Sequence, residues 1–68
     1  MIKNNLSKLL GERKMKVSEL ARIIEFDYCA VNRFYKGNNP FINLALLNKI
    51  CWAINVNISD ILEYIPDD

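Results

Sequence analysis

Residues 17–37, VSELARIIEFDYCAVNRFYKG, decide the fold. Apolar residues fall at Leu20, Ile24, Val31 and Phe34, with Ala21 beside the first. Leu20 and Ile24 stand one helical turn apart, as do Val31 and Phe34, so each pair forms a stripe along a helix. Between the pairs, Glu25-Phe26-Asp27 leaves room only for a tight turn. The Asp27 carboxylate is placed to accept an orphan N–H at the start of the second helix. Gly37 is placed to close that helix in the left-handed conformation. Helices joined by so short a turn cross steeply, and Ala21 supplies the small side chain that a close crossing needs. The stretch reads as a helix-turn-helix.

On its N-terminal side, Asn5 or Asn4 can cap a first helix, approximately 5–13, whose apolar face is Leu6, Leu9 and Leu10. Gly11 weakens that helix near its end, Glu12-Arg13-Lys14 form a solvated segment, and Met15 is expected to fold back onto the core. Lys16 stands at the cap of the second helix, 17–24, with Ser18 and Glu19 just inside, where an acid suits the positive helix end. Beyond the third helix, 28–36, Asn39-Pro40 forbids helical continuation. Asn43 then caps a fourth helix, 44–54, with Leu44, Leu47, Ile50, Cys51 and Ile54 as its buried stripe. Trp52 falls off that stripe beside Lys49 and reads as the edge of the core. Asn55-Val56-Asn57 is a turn, with Val56 and Ile58 pinning it down. Ser59 caps a last helix, 59–64, with Ile61 and Leu62 inward and Pro66 ending it. The expected architecture is all-α: five short helices in one domain spanning 1–68 and no extended sheet. Ile2 to Asn4 remain free to pair as a short strand with another chain end.

Composition bounds the rest. A chain of 68 residues buries only about 60% of its unfolded surface, yet a 51% apolar content argues for a packed core rather than disorder. The net charge of +1 is unevenly spread: residues 1–49 carry +5 and residues 50–68 carry −4. The basic part contains the helix-turn-helix, as a phosphate-binding face requires. With no histidine, and with Cys29 and Cys51 far apart, neither a zinc site nor imidazole catalysis is expected, and both thiols read as free in a reducing compartment. No Ser, Cys or Lys has a plausible base partner, and there is no Gly-rich phosphate loop, so no enzyme and no cofactor are expected. MIKNNLSKLLGERK has no signal-peptide apolar run, and nothing approaches the roughly 20 apolar residues of a membrane span, so a cytoplasmic protein without membrane contact is expected.

The same segment resembles the helix-turn-helix of the phage-repressor/Cro superfamily, the XRE family of transcriptional regulators. It matches that pattern at Leu20-Ala21, at Phe26 in the apolar turn position, at Val31 in the recognition-helix core and at Gly37. The tail INLALLNKICWAINVNISDILEYIPDD resembles the last two helices of small single-domain members that end in a Leu-Glu-Tyr-Ile-Pro-Asp motif. Two residues depart from the family pattern. Glu25 stands where the turn Gly is usual, and Tyr35 where a Glu often precedes the closing Lys-Gly. Tyr35 is expected to pack on the first helix near Leu10 instead. The resemblance implies a five-helix lambda-repressor-like DNA-binding domain whose third helix enters the major groove.

With Val31 and Phe34 facing inward, Tyr28, Cys29, Asn32, Arg33 and Lys36 take the outer face. Arg33 can donate two hydrogen bonds to guanine and Asn32 can pair with adenine in bidentate fashion. The family pattern places base contacts at Tyr28, Cys29 and Arg33, with Asn32 beside them. Phosphate contacts are expected from Val17 and Ser18 at the start of the second helix, and from Lys36, Asn38 and Asn39. Double-stranded DNA is the expected partner, bound by a homodimer formed through the C-terminal region, where Trp52, Tyr64 and Ile65 are more apolar than a small monomer needs to expose. The alternative is an antitoxin-like or phage-derived interaction module that keeps the fold and binds DNA weakly or not at all. Low net charge, Glu25 and the weak cap at Lys16 speak for it, and the polar array Tyr28-Asn32-Arg33-Lys36 speaks against it.

Overall fold

The computed structural model describes residues 1–37 and 41–66. The described elements are β1 (Ile2–Asn4), α1 (Leu6–Glu12), α2 (Val17–Ile23), α3 (Tyr28–Lys36), α4 (Leu44–Ile54), α5 (Ile58–Ile61) and β2 (Leu62–Tyr64). This is a small, mostly helical domain with five helices among the described residues, to which an all-α description fails to do justice. The two strands form an antiparallel pair in which Ile2 faces Tyr64, Lys3 faces Glu63 and Asn4 faces Leu62. The partner of the N-terminal strand is thus the chain's own C-terminal segment.

Residues 59–64 do not form the last helix. It starts at Ile58, where the Asp60 carboxylate accepts from the Asn57 N–H at 3.0 Å, and it stops at Ile61. A helix this short has almost no propagation to gain. At Leu62 the backbone swings to φ −118°, ψ 140°, and the next residues satisfy their polar groups against β1.

Three helices end alike, in a left-handed residue followed by an apolar one. Lys14 (φ 53°), Glu25 (φ 53°) and Asn55 (φ 54°) are the left-handed residues, and Met15, Phe26 and Val56 follow them onto the core. Met15 N–H donates back to Leu10 O at 3.0 Å, Phe26 N–H to Ala21 O at 3.0 Å and Val56 N–H to Cys51 O at 3.1 Å. This is the Schellman closure, whose apolar residue packs as the reversed hydrogen bond forms.

Helix C-termini are also capped from other elements. Arg13 Nη2 reaches Ile54 O at 3.2 Å, Lys49 Nζ reaches Ile24 O at 3.2 Å, and Asn4 Nδ2 reaches Phe34 O at 2.7 Å. Each bond gives a side-chain donor to a carbonyl in or just past a helix's last turn, Phe34 O accepting from Gly37 N–H as well, and the two cations also face the negative end of the helix dipole. The core beneath is Leu6, Leu10, Leu20, Ala21, Ile24, Val31, Phe34, Leu46, Leu47, Ile50, Ile54 and Ile61. The buried stripe of α4 therefore includes Leu46 in place of Leu44, which is 73% exposed, and Cys51 is only half-buried. At about 100° per residue, the face centred on Leu47, Ile50 and Ile54 leaves Leu44 on the flank and Trp52 almost opposite. Trp52 is accordingly 74% exposed and not the core edge its position beside Lys49 suggests.

Candidate nucleic-acid interface

The third helix is fixed at both ends by its own sequence. Asp27, in extended geometry, accepts from Ala30 N–H at 3.2 Å, and Gly37 closes the far end at φ 72°, its N–H on Phe34 O. Val31 and Phe34 are buried against the core. Tyr35 is half-buried and packs against the same core. The opposite face carries Tyr28, Cys29, Arg33 and Lys36, all exposed, with Asn32 half-buried among them. Their spacing of one, three, one and three residues keeps them on a single helical face. One basic guanidinium, one ammonium, one amide and one phenol are thereby brought together without a carboxylate among them.

The start of α2 lies in the same motif. Ser18 is exposed and Val17 half-buried. The Glu19 carboxylate accepts from Lys16 N–H at 3.1 Å, so the reach-back half of a capping box exists even though Lys16 offers no acceptor. The N–H groups of Val17 and Ser18 belong to the first turn, which has no helical acceptors for them. Asn38 and Asn39 lie outside the described residues, as do Pro40 and the acidic pair Asp67-Asp68.

The turn between α2 and α3 is left-handed without a glycine. Glu25 takes the left-handed position itself, with its N–H on Arg22 O at 3.2 Å and its side chain exposed. Lys49 braces that turn from α4: its ammonium lies 3.2 Å from Ile24 O and 6.0 Å from the centre of the Phe26 ring. Beside it, Ile23, Ile24, Glu25, Asn48 and Trp52 surround a recess of about 420 Å³.

Sequence reasoning missed the two residues that hold the motif from outside, Asn4 and Lys49, and Arg13, which caps the end of α4. Lys49 alone carried a signal, as the one charge in the eleven residues of α4. Cys29 and Cys51 are free thiols. Among the described residues, no three His, Cys, Asp or Glu side chains come together as a metal would require, and no helix is long and apolar enough to cross a membrane.

Residues 5–67 match the model of the Cro/C1-type helix-turn-helix DNA-binding domain. The chain is also 33% identical over 64 residues to the uncharacterized HTH-type transcriptional regulator YozG of Bacillus subtilis (strain 168), across 94% of this chain and 76% of that protein. Regulators of this type are non-catalytic, and the chain is not an enzyme. A helix-turn-helix whose second helix presents a polar, basic face is what this kinship leads one to find, and the chain belongs to the Cro/C1-type family of helix-turn-helix DNA-binding transcription regulators.

Proposed function

We propose that the chain, acting as one domain, binds double-stranded DNA sequence-specifically with α3 in the major groove. Tyr28, Cys29, Asn32 and Arg33 read base edges. Val17, Ser18, Lys36, Asn38 and Asn39 hold the phosphates on either side. The observation that carries this reading is the outer face of α3, exposed, basic and free of acids, on a helix capped at both ends. Two copies bind together through the C-terminal part of the chain, where Leu44, Trp52, Ile58 and Tyr64 are exposed.

The test is selection of bound sequences from a random duplex pool. A common half-site, repeated as a palindrome, is the expected result, and recovery of unenriched sequence would overturn the reading. In that event the interaction module stands instead, and the exposed Trp52 and Ile23 beside Glu25 become its natural contact.

A further inference from the structure

Asn4 serves two elements with one side chain. Its Oδ1 accepts from the N–H of Leu6, the first residue of α1, at 2.9 Å, while its Nδ2 donates to Phe34 O at 2.7 Å, thirty residues away. The amide fits in only one sense. Exchanging its oxygen and nitrogen would set acceptor against the Phe34 carbonyl and donor against the Leu6 N–H. The backbone of Asn4 is itself held, since it pairs with Leu62 in the sheet and the next residue, Asn5, donates its N–H to Ile61 O at 2.7 Å. The end of α3 that follows Arg33 is therefore tied, through one side chain, to the sheet made by the two chain ends.

The other end of α3 is set by the turn, where Asp27 and the Lys49 brace act. Gly37 and the buried Phe34 close the finish of α3 locally, and without the Asn4 tether that end is free to shift on the core, tilting the helix. The nine residues of α3 span roughly 13 Å at about 1.5 Å per residue, so a tilt of about 5° moves the far end by about 1 Å. A bidentate contact to a base, confined to a window of about half an ångström in length, does not survive that shift. A lysine on a phosphate does, because its flexible stem follows the charge.

We propose that Asn4 is a positioning residue for base reading, holding the tilt of α3 at which Arg33 and Asn32 meet base edges. The proposal rests on the DNA-binding reading above. It assigns to a residue outside the helix-turn-helix a share in specificity, and no share in general affinity for DNA.

The test is Asn4→Asp. Aspartate offers the same acceptor to Leu6 N–H as asparagine, while Phe34 O loses its donor and faces an acceptor instead. Affinities for the selected site and for random duplex are measured well below the melting temperature. Val56→Ala, a truncation in the turn between α4 and α5, serves as a control for general destabilisation. The expected result is a fall of about tenfold in the ratio of specific to random binding, the size of one impaired bidentate contact. Random-duplex affinity should stay within about twofold, because the phosphate contacts are unchanged. In the free protein, backbone amide resonances of 33–37 should shift while those of 28–30 stay in place. An unchanged ratio would overturn the proposal, as would parallel losses on both duplexes in step with Val56→Ala. Shifts confined to the end of α3, in a wild-type chain that prefers no duplex, would support the tether and overturn the DNA reading, so the two failures are told apart.

Discussion

Arg33 and Lys36 stand three residues apart on one exposed face, yet they are expected to do different work. A guanidinium held against guanine discriminates by about 1–3 kcal/mol, whereas an ammonium on a phosphate carries no sequence information. Arg33→Ala should therefore weaken the preferred site by that amount and relax preference at one base pair. Lys36→Ala should weaken all duplexes alike and reduce the salt dependence by about one unit of slope. Titration of both variants on selected and random DNA at several salt concentrations checks this, and identical behaviour on both would remove Arg33 from base reading. Glu25 is a third case. Its left-handed backbone costs roughly 1 kcal/mol, and a glycine would recover most of that only to lose about 0.5–1 kcal/mol to the freedom of its unfolded chain. Glu25→Gly should thus leave the melting temperature nearly unchanged. If the carboxylate opposes passing phosphates, the same change should raise affinity for every duplex; equal affinity would show the acid to be harmless. The exposed face of α3 was legible from sequence because helical periodicity fixes what Val31 and Phe34 leave outside. Asn4 and Arg13 were not, since their partners are carbonyls 30 and 41 residues distant, and a carbonyl has no letter in a sequence.

At the scale of elements, the caps govern which segments hold as helices. Asp27 satisfies the start of α3 by one charge-assisted bond, so Asp27→Ala should cost about 1 kcal/mol, read as a lower melting temperature by circular dichroism. Gly11 offers the reverse. It lies inside α1, its backbone is ordinary, and nothing stands within 4 Å of an added Cβ, so Gly11→Ala should stabilise the domain by about 0.5–1 kcal/mol. A loss of stability there would mean that α1 frays at Gly11 in the native state. Turns after α1, α2 and α4 were partly readable, because Met15, Phe26 and Val56 are apolar residues set just past a helical stripe. The end of the chain was not. Whether Leu62–Tyr64 coils or extends depends on a strand some sixty residues earlier, and a local pattern of Ile61 and Leu62 suits either state. Leu44 misled for a related reason: at the first position of α4 no earlier turn fixes its phase, and Leu46 took the buried place.

For the molecule as a whole, the proposed reading brings about four side chains of one helix to base edges, too little to single out a site. Bidentate contacts of about 1–3 kcal/mol each cannot by themselves separate an operator from a genome of competitors. Two copies about a two-fold axis would double the readout and set their recognition helices about 34 Å apart. The expected surface of Trp52, Tyr64 and Ile65 divides in three. Trp52 stands beside Ile23 and Glu25, Tyr64 faces Ile2 across the sheet, and Ile65 is half-buried with its N–H on Met1 O. A better surface runs between α4 and α5, where Leu44, Leu47, Asn48, Cys51, Val56, Asn57 and Ile58 line a groove of about 430 Å³ without a charged group. An isologous interface sets a patch against its own copy, so a charged patch repels itself and a neutral apolar one does not. Leu44 and Ile58 each occupy the first position of a helix, where an acid is well tolerated by the monomer. Leu44→Asp and Ile58→Asp should therefore leave the fold intact and place like charges face to face across the pair. Footprinting with the stoichiometry of the complex is the measurement. Wild type should place two chains on a palindrome, and either variant should place one chain on a half-site with a large loss of affinity. Two-chain complexes that survive both substitutions but fail with Trp52→Ser would move the interface to the outer side of α4, and a wild-type chain protecting a single half-site at full affinity would end the dimer altogether.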